Sequence, residues 1–187
     1  MENEPHRRSS PKFSGIHAEF LLRVHSIVKE TSSSEEAFGR CIEEVCRYTG
    51  WPVGHAYILD NTNPHALKRN GPWHFDDANA YRVFKDVTEE RSIASGADLP
   101  GLVLERRASV WARQLTESGQ SFMRFAAAFS CGLNFGAAFP VWRKGDIVGV
   151  LEFYAEEPTG NEPAIEALMT AVSTQLGNDI ARKRASV

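Results

Sequence analysis

Two apolar runs joined by a short charged turn constrain this chain more than anything else in it. Phe139-Pro140-Val141-Trp142 leads into Arg143-Lys144-Gly145-Asp146, and Ile147 to Tyr154 follows as a run rich in β-branched and aromatic residues. Such residues suit a pleated, half-buried surface, and a Gly-Asp turn between them predicts a β-hairpin built into a sheet. Upstream, Phe122 to about Cys131 predicts a helix that ends at Gly132-Leu133 in a tight bend, and Leu99-Pro100-Gly101 predicts a bend before a short helix.

The other elements follow from periodicity. Phe13, Ile16, Phe20, Val24, Ile27 and Val28 recur at helical spacing, and Ser33 or Ser34 is placed to cap a second helix over about 35–49 that stops at Gly50. Strands are expected over about 53–59 and 66–75, separated by the turn-forming Asn61-Thr62-Asn63-Pro64. A helix around 77–88, an edge strand at Ser109-Val110-Trp111 and a closing helix over about 163–184 complete the chain. The closing helix carries Ile165, Leu168, Met169, Val172, Leu176 and Ile180 as one apolar stripe. Residues 1–12 read as a mobile polar tail and 13–187 as a single domain.

Charge and cysteine usage narrow the function classes. A formal net charge of -3 offers no electrostatic footprint for nucleic acid or for an anionic membrane surface. No apolar run approaches the roughly 20 residues that span a bilayer, so a cytoplasmic protein is expected. Cys41, Cys46 and Cys131 are odd in number and match no metal spacing, which argues against a secreted disulfide framework. No nucleophile elbow, phosphate-binding loop, zinc-protease helix or dinucleotide fingerprint occurs, and the acidic pairs sit at helix starts or turns. No catalytic residue and no metal ligand is therefore assigned. His17 and His25 are too far apart along one helix for a metal pair, whereas His55 and His74 fall on adjacent expected strands, as ligand contacts or as hydrogen-bonded core or rim residues.

Gly132-Leu133, Ala137-Ala138-Phe139-Pro140-Val141, Lys144-Gly145 and Gly149-Val150-Leu151-Glu152-Phe153, in that order, resemble the C-terminal half of GAF domains. Gly50 to Tyr57, Leu99 to Val103 and Ser109 to Trp111 extend the resemblance over roughly 37–184. It implies an α+β fold with a central antiparallel sheet of about six strands and helices on both faces. It also implies a sensory module of a bacterial signalling protein, of the kind found in histidine kinases, that binds a small molecule, pairs as a homodimer through its terminal helices and relays occupancy to an output domain or kinase. The same stripes on the two terminal helices would serve equally to pack each helix on its own sheet. A ligand-free dimerisation module is the alternative, and a GAF-based enzyme or tetrapyrrole photoreceptor a third.

In that family the pocket lies between the sheet and the segment 77–124. Tyr57, Trp73, Trp111, Phe122 and Phe129 are the aromatic candidates for it, and Arg124, interrupting an apolar helix, is the polar one. Arg124 would clamp an anionic ligand bidentately or pair with a carboxylate of the protein. The position at which phytochrome-type GAF domains attach a bilin falls on Met123, which has no nucleophilic thiol. The three cysteines fit poorly with the several pocket thiols of free methionine sulfoxide reductases, and the Asn-Lys-Phe-Asp-Glu signature of cyclic-nucleotide phosphodiesterases is absent. No cofactor is thereby identified.

Overall fold

A computed structural model describes residues 11–60, 63–67, 71–90, 93–115, 124–158 and 161–184. The order of elements is α1 (Pro11–Glu30), α2 (Ser34–Thr49), β1 (Val53–Asp60), β2 (Asn63–Leu67), β3 (Trp73–Phe75), α3 (Arg82–Glu89), α4 (Asp98–Arg106), β4 (Val110–Ala112), α5 (Phe125–Ser130), β5 (Phe135–Arg143), β6 (Asp146–Ala155) and α6 (Glu162–Arg184). Among the described residues these form one six-stranded sheet in the order β2-β1-β6-β5-β4, with β3 pairing β1 beside β2. Every pairing is antiparallel, so the expected α+β architecture holds.

The hairpin of β5 and β6 is the spine of the sheet. Its turn places Lys144 and Gly145 at φ 51° and 88°, and a glycine relieves the left-handed position at the second. Side chains then alternate between two cores. Leu151 and Phe153 of β6 point to a face covered by α1, α2 and α6, whereas Val150 and Tyr154 point to a face covered by α3, α4 and α5. Here these are called the outer and inner faces.

The outer face explains the terminal stripes. Phe20, Val24, Ile27 and Val28 of α1, and Ile165, Leu168, Met169, Val172, Leu176 and Ile180 of α6, are buried in one cluster with Phe38, Phe135, Phe139 and Phe153. The stripes are thus spent on the protein's own sheet. Gly177 makes the fit of α6 close, because a Cβ there would be built into the Trp142 carbonyl. One turn earlier, Ser173 Oγ donates to the Pro140 carbonyl at 2.7 Å and accepts from Trp142 N–H at 3.0 Å, satisfying backbone groups where the β5–β6 register shifts. The basic end of α6 also has partners: Arg182 donates to the Val28 carbonyl at 3.0 Å, and Lys183 to Thr31 Oγ1 and the Ser33 carbonyl at 3.0 and 2.9 Å. Those bonds tie the end of α6 to the joint between α1 and α2.

Local chemistry moved several boundaries. Ser33 caps α2, its Oγ accepting from Glu36 N–H at 3.1 Å. The single strand expected over 66–75 is two short strands, because Pro72, which has no N–H, interrupts the run while its carbonyl accepts from Ala56 N–H at 3.1 Å. The helix expected from residue 77 starts at Arg82, since the Asp77 carboxylate accepts from Asn79 N–H at 2.9 Å and holds the preceding residues in a turn. Leu99-Pro100-Gly101 lies inside α4 rather than in a bend before it, with Pro100 in the first turn, where a missing N–H is harmless.

Candidate functional site

Beneath α3, α4 and α5, the inner face carries a buried polar cluster where a sheet core would ordinarily be apolar. Glu152 lies between Val150 and Tyr154 on the inward alternation of β6, and His55 faces it from β1, as the register pairs those two residues. Arg124, at the N-terminal end of α5, reaches down to Glu152 from the helical layer. Arg124, Glu152 and His55 all have 0% exposure.

The cluster is held by geometry suited to a charged pair. Arg124 Nη1 and Nη2 donate to Glu152 Oε1 and Oε2 at 3.0 and 2.9 Å, a two-pronged contact that matches the planes of both groups. Nε donates to Asp98 Oδ2 at 3.3 Å, and Nη2 also donates to the Tyr154 hydroxyl at 2.9 Å. Thr88 Oγ1 and the Tyr57 hydroxyl accept from Nη1 at 3.3 and 3.5 Å. The Tyr154 hydroxyl in turn donates to Glu152 Oε2 at 2.6 Å. Asp98 sits at the start of α4 with φ 51°, a left-handed conformation in which an aspartate is tolerated better than most residues.

Electrostatics follow from burial and partners. Burial by itself pushes Glu152 up, but the Arg124 charge and the hydrogen bonds from His55 and Arg124 outweigh it and hold the carboxyl well below its usual range. Burial lowers His55 despite the neighbouring carboxylate, and it raises Tyr57 and Tyr154, which remain phenols. Because ionised Glu152 only accepts, His55 Nδ1, 3.0 Å from Glu152 Oε1, carries the proton of a neutral ring.

These shifts give an expected pH dependence. His55 binds a proton more weakly folded than unfolded, so as pH falls below about 6.5 the unfolded chain takes up the proton and stability declines. Glu152 contributes stability above its unfolded value, near 4.5, and that contribution is lost as pH falls further towards its depressed folded value. Denaturant titrations from pH 7 to 5 should therefore show a fall approaching ~1.4 kcal/mol per pH unit that is reduced in His55→Gln. Equal slopes for both proteins would remove His55 from the account.

The sequence candidates divide. Tyr57, Trp73 and Arg124 meet on the inner face, with Trp73 stacked on His55 at a ring separation of 3.8 Å and facing Phe84 edge-on. Trp111 lies on the outer face, edge-on to Phe139, where its Nε1 donates to Glu166 of α6 at 2.9 Å. Alternation along β4 sends Val110 and Ala112 inward and Trp111 outward, so it does not join the others. Phe129 is 62% exposed on α5, and Phe122 lies outside the described residues. His74 projects away from His55, lining a groove with Glu35, Glu36 and Gly39 against α2. The sequence reading does not single out Glu152, Asp98, Thr88 and Tyr154, although a lone carboxylate inside the apolar run 147–154 is a signal that period-2 reading places inward.

No group of three or more metal-capable side chains occurs among the described residues, and no described helix is long and apolar enough to cross a membrane. The thiols are dispersed. Cys41 and Cys46 are buried under the outer face, where burial pushes Cys41 up to about 12 and Cys46 higher still, and Cys131 is half-buried beyond α5.

An antiparallel sheet with paired terminal helices on one face and a helix-roofed polar cluster on the other defines the class of fold, an α+β domain. A family model described as GAF domain matches residues 31–180, and the chain belongs to the GAF domain family. This family comprises small-molecule-binding signalling modules. Solved structures agree on the fold. A free methionine-R-sulfoxide reductase from Neisseria meningitidis, solved with its substrate, is similar with a TM-score of 0.73 at 16% identity, over 98% of this chain and 99% of that one. The GAF domain of an Acinetobacter phosphoenolpyruvate-protein phosphotransferase is similar with a TM-score of 0.70 at 19% identity, over 91% and 96%. The corresponding domain from Coxiella burnetii gives 0.71 at 16%, over 92% and 97%. A search of curated proteins found no match.

Proposed function

We propose that this chain is a cytoplasmic sensory GAF domain that binds a small molecule over the inner face and passes occupancy through its terminal helices to a signalling output of the histidine-kinase type. The observation that carries this reading is the buried cluster of Arg124, Glu152, His55, Tyr57 and Tyr154, roofed by helices and walled by Trp73 and Phe84. Convergent polar groups in an aromatic setting are how small-ligand sites are built, and such clusters are expensive to keep in a core that needs only packing. Trp73, Tyr57 and Arg124 remain the proposed ligand-facing residues, joined by His55. Phe122 retains its proposed place in the same pocket on the resemblance alone.

Arg124 is proposed to shape the floor of the pocket rather than to clamp an anion, since two carboxylates already accept its hydrogen bonds. The relay has a physical route: β6 carries Glu152 inward and Leu151 and Phe153 outward onto the α1–α2–α6 layer. A homodimer would form through exposed sides of the terminal helices, because their apolar stripes are already covered. The burial of Cys41 and Cys46 on the far face supports a non-enzymatic role, for thiols held protonated and away from the pocket make poor nucleophiles. The same filled floor also favours the rival reading, a dimerisation module without a ligand.

Native mass spectrometry of protein purified from its host separates the two. A stoichiometric small molecule released on denaturation, together with a dimer mass, is the expected result. An unliganded dimer would establish the rival, and thiol-dependent reduction of free methionine sulfoxide would overturn both.

A further inference from the structure

Two buried ring nitrogens on the inner face have no hydrogen-bond partner among the described residues: His55 Nε2 and Trp73 Nε1. They belong to residues directly opposite each other on β1 and β3, with rings stacked at 3.8 Å and 17°. Stacking brings the two rings into direct contact. Their hydrogen-bonding roles are complementary. His55 Nδ1 donates to Glu152, whose carboxylate is also fixed by Arg124 and Tyr154, so His55 Nε2 presents a bare lone pair. Trp73 Nε1 carries a hydrogen and only donates. A buried donor or acceptor left unsatisfied is costly, so two on stacked rings in a native core call for an occupant.

We infer that the His55–Trp73 pair is the recognition point for a neutral, planar ligand bearing an adjacent N–H donor and carbonyl acceptor, a primary carboxamide or the amide edge of a nitrogen heterocycle. The N–H would donate to His55 Nε2 and the carbonyl would accept from Trp73 Nε1. Trp73 already stacks on His55 and on Phe75, so the ligand would meet the two nitrogens at the ring edges, beside the edge-on rings of Tyr57 and Phe84. Anionic ligands are disfavoured, because the guanidinium of Arg124 is matched by Glu152 and Asp98, and a carboxylate offers nothing to a bare lone pair. This inference rests on the small-molecule reading above and specifies its chemistry.

The test uses three probes of one shape: benzamide, methyl benzoate and benzoate. Thermal unfolding and 15N spectra of histidine-labelled protein are recorded with each at millimolar concentration. Benzamide alone should raise the melting temperature and move the His55 Nε2 resonance from its unprotonated position. Trp73→Phe keeps the stack but removes the donor, and should weaken benzamide roughly tenfold, about what one hydrogen bond supplies. His55→Leu should abolish the preference for benzamide. Equal effects of benzamide and methyl benzoate, stronger binding of benzoate, or no effect from any probe would overturn the inference; so would a pair satisfied by buried water, seen as a protected Nε2 environment that no probe changes. An anionic molecule retained in native mass spectrometry would overturn this inference while upholding the small-molecule reading, and absence of any retained molecule would strike that reading itself.

Discussion

Arg124→Met is expected to destabilise the fold by about 3–5 kcal/mol, because it leaves Glu152 and Asp98 as buried carboxylates stripped of their guanidinium. Methionine approximates the volume of the aliphatic stem, so lost charge compensation rather than a cavity dominates. That loss is a large part of the roughly 5–15 kcal/mol by which domains are stable. Adding Glu152→Leu should recover much of the loss, since removing both partners of a buried pair is far milder than removing one. His55 then loses its acceptor, so full recovery is not expected. Urea unfolding of the single and double variants checks this, and a single variant within ~1 kcal/mol of the parent would contradict the pairing.

Leu176→Glu is expected to be comparably damaging, and for a reason that separates folding from association. Leu176 is fully buried between α6 and the sheet, so a carboxylate there is desolvated within the protomer. The expected loss is several kcal/mol whatever the oligomeric state. Leu22→Glu provides the contrast. Leu22 is 67% exposed on α1 and borders a groove of about 560 Å³ lined by Glu19, Arg23, Arg40, Glu43 and Arg47. Both signs of charge lie on that groove, so a twofold contact that sets acid against base is open to it. The proposed dimer should therefore fall apart in Leu22→Glu with an unchanged protomer fold, as light scattering and circular dichroism together would show. A parent protein that is monomeric at micromolar concentration would remove this interface and the relay that depends on it.

What the sequence makes legible here is periodicity. The β5–β6 hairpin is readable because β-branched and aromatic residues flank a Lys-Gly turn, and the α1 and α6 stripes because apolar groups recur every three or four residues. The stripes do not say which surface they meet, and the structure shows it to be the protein's own sheet. The break that separates β3 from β2 is hidden because three residues after Gly71-Pro72 are too few to show an alternation of their own. Family position groups Trp111 with the pocket aromatics, whereas the alternation of Val110 and Ala112 around it points it to the outer face. Arg124 was legible as an oddity inside an apolar helix. Its partners Glu152 and Asp98 are 28 and 26 residues away in the chain, and only the folded sheet and α4 bring them together.

Hydrogen exchange is the most direct test of a ligand site on the inner face. Protein as isolated from its host would be compared with the same protein denatured, freed of small molecules by dialysis and refolded. The account expects faster exchange after stripping in β1, α3, α4 and the 150–154 stretch of β6, with α2 little changed. Identical exchange in both samples, for a protein that released a small molecule on denaturation, or differences confined to α1, α2 and α6, would contradict it.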